Sequence, residues 1–295
     1  LTSLVLSKAL INKKINVTIF YKYEKKTLAS NRCIGITEKK IYFLKKNILK
    51  ISDKYFNSID QIEIYTEKNR NEKILNFGEK NNYLFNLIEA DKLFKLLKND
   101  LSKKKNLKIK KIKSNNFYKD IIVNKNFDLV INCERKNTIT KSLFNKNISL
   151  DYRSEAFTCI IFHKKISNRK AIQIFTKYGP LAFLPLSDYK TSVVFSIYNQ
   201  KKNVDEKKIL KLIKFYNKIY FIKKFSKIEK VKLKYFSTRN YFKGNILLFG
   251  DSLHQIHPLA GQGFNMTLRD LDILLSEIQK KINLGLPLDA SLLNE

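Results

Sequence analysis

The stretch GNILLFGDSLHQIHPLAGQGFNMTLRDLDILL, residues 244–275, constrains this chain more than any other. An apolar run from Ile246 to Phe249 stops at Gly250 and Asp251, and an amphipathic run begins near Asn265. Between Gly250 and Asn265 lie Gly250, Pro258, Gly261 and Gly263, in a chain that has only eight glycines and four prolines. A buried strand, a glycine-rich loop and a helix, in that order, belong to the strand ends of an open α/β sheet, where ligands bind. Gly261 and Gly263 permit positive φ and let backbone N–H groups approach a ligand closely. The start of the following helix adds further donors and a partial positive charge. Asp251 supplies a carboxylate for hydroxyl groups. The composite suits a polar, partly anionic, planar ligand edge.

Bare spacing leaves other readings open. Asp251, His254 and His257 could ligate a metal, although one loop supplying three ligands has no fourth nearby. Ser252 with a histidine and an acid could form a triad, but no G-x-S-x-G turn is present. The loop could also be a structural turn with no ligand.

The rest of the chain supplies the context. At 295 residues, with 44% hydrophobic and 28% charged content, it is long and apolar enough for a large core. LTSLVLSKALINKKINVTIF reads as a helix feeding a strand, as in a βαβ unit that lacks its first strand. YFLKKNILKISDKYF reads as helical, and QIEIYTEKN with KILNFGE as a hairpin. LIEADKLFKLLKNDLSKK is an amphipathic helix with Leu93, Leu96 and Leu97 on one face, and NFDLVINCE is a short strand. From about Leu150 the texture changes. AFTCIIFHKK, KAIQIFTKYG, LAFLPLSD and KTSVVFSIYN are successive strands of an antiparallel sheet, followed by a helix over EKKILKLIKFYNKIYFI. The order is an α/β domain interrupted by a β-rich insert.

Lysine and arginine outnumber acids 58 to 26, for a net charge of +32. Such a chain is drawn to anionic surfaces. The excess is mostly lysine, spread through every element together with Asn and Ile, as A/T-rich codons would produce. No RNP motif, zinc knuckle or helix-turn-helix pattern accompanies it, so nucleic acid is not expected as a partner. Cys33, Cys133 and Cys159 form no CxxC, which fits a reducing cytosol and buried thiols. No apolar run approaches a membrane span.

The 244–275 stretch closely resembles the flavin motif G-[DN]-A-A-x-x-x-H-P-x-x-G-Q-G-x-N of class A flavoprotein aromatic hydroxylases, and within them the ubiquinone-biosynthesis hydroxylases. YGPLAFLPLSDYKTSVVFSI resembles the G-P-x-A-x-L-P-L strand pair of that subfamily, and SNRCIGITEKKIYFL the segment whose arginine lies on the flavin. The resemblance implies a para-hydroxybenzoate hydroxylase-like fold: a Rossmann-like FAD-binding domain (1–57, 87–149 and 241–295, with further N- and C-terminal parts expected) interrupted by a mostly antiparallel β-sheet substrate domain (58–86 and 150–240).

It also implies a function, in which reduced FAD and O2 give a flavin hydroperoxide that hydroxylates the ring of a prenylated phenol or quinol on the way to ubiquinone. NAD(P)H or a small redox protein would supply electrons. The flavin carries the chemistry, so no catalytic side chain and no metal is expected. Carried over by position, Ser3, Arg32, Gly250, Asp251, Pro258, Gly261, Gln262, Gly263, Phe264 and Asn265 would hold the cofactor. Asp251 would grip the ribityl chain, and the Gly261–Gly263 backbone would face the N1/O2 edge. Leu181, Phe183, Pro185 and Pro258 would line the substrate pocket. The implied location is cytoplasmic, peripheral on the inner face of the membrane, alongside other ubiquinone-biosynthesis proteins.

The sequence departs from the family pattern in its adenine half. Ser3 stands at the third fingerprint glycine, and Tyr21 stands where an acid for the adenosine ribose is expected, with Glu24 further along. The second signature, A-D-G-x-x-S-x-x-R, reads CERKNTITK: Glu134, Arg135, Thr138 and Lys141 replace Asp, Gly, Ser and Arg. A side chain at Arg135 would strain any positive φ there. These departures motivate an alternative, a catalytically impaired relative acting as a partner in a biosynthetic complex.

Overall fold

The structure, a computed structural model, describes residues 1–22, 31–67, 73–78, 83–112, 114, 116–124, 126–198, 205–256 and 262–295. It opens with helix α1 (Thr2–Asn12) and strand β1 (Val17–Tyr21), then β2 (Cys33–Ile36), α2 (Glu38–Asn47), β3 (Asn57–Ile59), β4 (Gln61–Thr66), β5 (Lys73–Gly78) and β6 (Phe85–Glu89). Next come α3 (Ala90–Leu101), β7 (Leu107–Lys111), α4 (Asn116–Asn124), β8 (Val130–Asn132) and α5 (Thr138–Leu143). The insert follows as β9 (Asn147–His163), β10 (Lys170–Thr176), β11 (Gly179–Ser187), β12 (Lys190–Tyr198), α6 (Glu206–Tyr216), β13 (Ile222–Phe225) and β14 (Glu229–Thr238). The chain returns through β15 (Phe242–Lys243), β16 (Ile246–Leu248), β17 (His254–Gln255) and α7 (Gln262–Asn283).

The α/β part has parallel strand pairs: β1 beside β7 and β8 beside β16, the latter with Leu248 opposite Asn132. Helices α1, α3 and α7 meet through one core. Val5, Ala9, Leu93, Leu97, Leu268 and Leu271 are all essentially excluded from water there. The spacing of Leu93, Leu97 and Leu101 puts one residue per turn on the buried face of α3, while Leu96 is only partly covered. Strand β6 takes up the residues just before Ala90, so the apolar segment LIE is strand and not the first turn of that helix.

The insert is the expected large sheet. Its nine described strands run β17-β14-β9-β12-β11-β10-β4-β5, with β13 also on β9. All its pairings are antiparallel except β10 with β4. One face packs on α6, where Ile209 and Ile213 meet Phe157, Ile161, Leu181, Val193 and Phe195. Strand β9 is longer than the run AFTCIIFHKK suggests. Its exposed first half bends at Arg153, which takes φ +48 and donates its N–H to Asp151 at 2.9 Å.

Three sequence expectations need correction. Helix α2 ends at Asn47, and the following residues are irregular up to a single 3-10 turn at Asp53–Tyr55, so YFLKKNILKISDKYF is not one helix. Helix α6 ends at Tyr216, not at Ile222, because Asn217 turns the chain. Its side-chain oxygen accepts from the N–H of Tyr220 at 2.9 Å and of Ile219 at 3.3 Å, an arrangement that competes with the helix. Finally, β3 and β6 pair with β2 in a separate small sheet, so a domain limit at residues 58 and 86 cuts through both. The excursion into the large sheet is the β4–β5 hairpin alone.

Candidate functional site

The site is built where β16 gives way to its loop. The backbone N–H of Phe249 donates to the carbonyl of Asn132 at 3.0 Å, holding the ends of β16 and β8 together. Gly250 then takes φ +64, a conformation that side chains disfavour, and a Cβ there would lie 2.6 Å from the methyl of Thr2. The glycine therefore lets the loop close onto the first turn of α1. The buried Ser252 hydroxyl accepts from the Phe249 N–H at 3.0 Å and also bonds the Asn132 carbonyl, which locks the turn. Asp251 is thrown outward into solvent. The amino group of Leu1 lies within electrostatic reach of Cys133, Asp251 and Arg32, so residues from four separate segments converge here.

The second convergence is at the start of α7. Among the described residues, a Cβ added to Gly263 would meet nothing within 4 Å, so this face of the helix's first turn is uncrowded. Asn265 anchors that turn: its amide donates to the Gly35 carbonyl at 2.8 Å, and its oxygen accepts from the Thr37 N–H at 3.4 Å. Phe264 packs on the α1–α3–α7 core. On the other flank, His254 and Gln255 of β17 pair with β14, and His254 Nε2 lies 3.9 Å from Asp270 Oδ2 on α7. Both atoms are buried with no hydrogen-bond partner among the described residues. Residues 257–261 join these two flanks. His257, Pro258 and Gly261 lie outside the described residues, as does Glu24.

The departed second signature is a closed structural unit. Asn137 caps α5 by accepting from the Thr140 N–H at 3.0 Å, and its amide donates to Asn132 at 2.8 Å. Asn132 in turn donates to the Thr140 hydroxyl at 2.8 Å. Arg135 does not take a positive φ, so the strain anticipated there does not arise. Its guanidinium donates to Gln255 at 2.8 Å and lies 4.8 Å from the centre of the Phe236 ring. Neither that bridge nor the His254–Asp270 contact has a local sequence signal, since each joins segments far apart in the chain.

The large sheet presents two distinct faces to its surroundings. Leu181, Phe183 and Pro185 are buried, with Leu181 and Phe183 in the core under α6. Their neighbours Ala182 and Leu184 point the other way, opposite Val194 and Ser192, which in turn sit beside Thr158 and Ile160. This second face looks toward the small β2-β6-β3 sheet: the Ser192 hydroxyl reaches the Asn31 carbonyl at 3.5 Å and hydrogen-bonds the Cys33 thiol, and Leu184 packs on the cluster of Ile59, Leu87 and Ala171. The Thr158 hydroxyl is buried on it without a hydrogen-bond partner among the described residues. A cavity of about 280 Å3 lined by Tyr65, Ile172, Ile174, Phe183, Phe215 and Tyr220 lies on the α6 side, away from the Gly250 turn.

Burial pushes the thiols of Cys133 and Cys159 up to about 12, and that of Cys33 up as well, so none is a nucleophile near neutral pH. Among the described residues no group of three or more His, Cys, Asp or Glu side chains is arranged to hold a metal.

Residues 161–283 match the FAD binding domain family. The fold aligns with the crystal structure of PqsL, a probable FAD-dependent monooxygenase from Pseudomonas aeruginosa, with a TM-score of 0.76 over 99% of this chain and 87% of that one, at 12% identity. The chain shares the mixed α/β fold of these FAD-dependent monooxygenases, and its residues 161–283 are similar to the FAD binding domain family.

Within that class its similarity is to the ubiquinone hydroxylases. It is 34% identical over 110 residues to 3-demethoxyubiquinol 3-hydroxylase of Escherichia coli (35% of this chain, 28% of that protein). It is 27% identical over 173 residues to the mitochondrial ubiquinone biosynthesis monooxygenase COQ6 of Mus musculus (45% and 36%). The matched stretches thus span about a third of these curated relatives.

Proposed function

We propose that this protein binds FAD in the cradle between the first turn of α1, Arg32, Asp251 and the start of α7, and acts as a monooxygenase. Its substrate would be a prenylated phenol or quinol of ubiquinone biosynthesis. The observation that carries the reading is the Gly250 turn, whose positive φ and lack of a side chain let it close on Thr2 and leave Asp251 within electrostatic reach of Leu1 at the start of α1. A dinucleotide needs this juxtaposition: donors at a helix start for its phosphates and a carboxylate for its hydroxyls. The residues present fit the cofactor, because among the described residues nothing lies within 4 Å of a Cβ placed on Gly263 at the start of α7.

In this reading Asp251 accepts hydrogen bonds from the ribityl hydroxyls, and Arg32 lies against the flavin side. The backbone around Gly261 to Gly263 faces the N1/O2 edge, where donors favour the anionic reduced form. Bound FAD supplies the redox chemistry that activates O2. The protein orients the substrate and keeps water out. The substrate wall we assign is the face of Ala182, Val194 and Thr158, and the Thr158 hydroxyl, which has no partner among the described residues, is the donor for a phenol oxygen. Leu181, Phe183 and Pro185 support that wall from behind. Electrons would come from NAD(P)H or a small redox protein. The enzyme would work at the cytoplasmic face of the membrane that holds its substrate, beside other enzymes of the same route. Turnover of a demethoxyubiquinol analogue by flavin-loaded protein, followed as oxygen incorporation, tests the assignment. Loaded protein that only oxidises the electron donor, without hydroxylating any such ring, would contradict it.

A second reading has its own observation. Tyr21 occupies the place of the ribose acid, and Arg135 is spent on Gln255 and Phe236. A chain that folds well but holds no flavin would serve as a non-catalytic partner in a biosynthetic complex.

A further inference from the structure

The chain between α6 and β14 carries an exposed feature that neither the flavin site nor the fold requires. From Lys207 to Lys227 the sequence KKILKLIKFYNKIYFIKKFSK has eight lysines and no carboxylate. Within it Phe215, Ile219 and Phe221 are 55%, 45% and 63% exposed. Scattered apolar side chains on a surface are ordinary, but three at one lysine-rich turn, with Glu67 of the β4 end as the acid beside Phe215 and Ile219, mark an interaction site.

The turn is rigid, so these groups are held outward. Tyr220 is its anchor: it is buried, donates its hydroxyl to Asn168 at 2.9 Å, and stacks with His163 at 4.6 Å between ring centres. Asn168 and His163 both reach the buried Thr191 hydroxyl at 3.0 Å. Asn217 clasps the same tyrosine from the other side, donating to its carbonyl at 2.7 Å and accepting from its N–H at 2.9 Å. Because Tyr220 points in, its neighbours Ile219 and Phe221 point out. The exposed lysines Lys164, Lys165, Lys214, Lys218, Lys223 and Lys224 rim the turn.

We infer that the α6–β13 turn is a docking surface for an anionic phospholipid bilayer, with Phe215, Ile219 and Phe221 entering the interface and the lysines meeting the headgroups. Apolar tips rimmed by lysine suit this partner, since each cation near a charged membrane adds favourable binding and each buried ring adds its apolar area. Nucleic acid fits less well. Bases would need a free aromatic face, and the Lys164 ammonium sits 4.1 Å from the centre of the Phe221 ring. The inference deepens the membrane-surface part of the proposed function by naming the surface, and it stands without the flavin.

The test is co-sedimentation of the whole chain with vesicles of phosphatidylglycerol in phosphatidylcholine, against phosphatidylcholine alone. The wild type should pellet with the anionic vesicles only. The pair Phe215→Ser/Phe221→Ser and the pair Lys218→Glu/Lys223→Glu should each weaken binding by about tenfold or more. Lys103→Glu/Lys105→Glu, an equal charge change after α3, should stay within about twofold of the wild type. An equal loss in the control pair would mean that net charge alone binds the lipid and would overturn the inference. So would full binding by the phenylalanine pair, or a preference for single-stranded DNA that the patch substitutions abolish. Performed with and without added FAD, the assay separates the two readings: vesicle binding by a chain that takes up no flavin removes the cofactor assignment and leaves the docking surface intact.

Discussion

At the scale of single residues, Gly250 tolerates a side chain poorly. A Cβ there faces a backbone conformation that costs roughly 1 kcal/mol for an L-residue, and it also contacts Thr2. Gly250→Ala should lose about 1–3 kcal/mol of stability in urea titrations. Adding Thr2→Ser, which deletes the crowding methyl, should recover the contact part and leave the backbone part. Asp251 is different because it is exposed and supports no core. Asp251→Ala should leave the melting curve in place while weakening FAD uptake by at least about tenfold, the loss expected for a charge-assisted hydrogen bond. The cysteines give a pH test. Burial holds Cys133 and Cys159 near 12, so their thiolates are scarce until strongly alkaline pH. Iodoacetamide should therefore leave both unmodified at pH 8 in the folded chain, and modify all three thiols once urea unfolds it.

At the scale of elements, the hairpin β4–β5 is stapled to β10 by a buried carboxylate. Glu63 is 2% exposed and bonds Lys73 at 2.5 Å, Lys170 at 3.0 Å and the Tyr65 hydroxyl at 2.8 Å. Burial works to raise its pKa, but the bonds to Lys73, Lys170 and Tyr65 together outweigh burial and hold it below the ordinary 4.5. A lowered folded pKa means that the folded state binds the proton less well than the unfolded chain. The staple's contribution is thus full above about pH 4.5 and is lost as pH falls through the folded value. Glu63→Gln should cost about 1–3 kcal/mol at neutral pH, and the gap to wild type should close in acid. A gap that persisted in acid would place the loss in packing and not in charge.

The elements also show what was legible in the sequence. Strands β9 to β12 and helices α3 and α7 could be read because their apolar periods are long and uninterrupted. The end of α6 could not, because apolar residues continue through Tyr220 and Phe221 while one asparagine side chain redirects the backbone. The facing of β11 was equally hidden. LAFLPL is apolar on both faces, so alternation gives no clue that Leu181 and Phe183 look toward α6 while Leu184 looks toward Ile59 and Leu87 of the small sheet. In the site, the Gly250–Asn265 motif stood out by composition. The Arg135–Gln255 bridge and the His254–Asp270 contact arise only when distant segments meet.

At the scale of the whole molecule, the proposed flavin cradle keeps its Gly250 turn and the Asn265 anchor of α7, while the segments that the family resemblance assigns to the adenine end carry other residues. Tyr21 offers no carboxylate, and the CERKNTITK segment caps α5 through Asn137, bonds Asn132 of β8 and sends Arg135 to Gln255. The central claim is that the remaining cradle, from Thr2 and Asp251 to the start of α7, suffices to hold FAD. The most direct measurement is the absorption spectrum of the purified chain after incubation with FAD and removal of the unbound cofactor. The account predicts the two bands of oxidised flavin, near ~370 and ~450 nm, retained with the protein and diminished in Asp251→Ala. A colourless protein after incubation with excess FAD would contradict it and leave the non-catalytic partner as the reading of this fold.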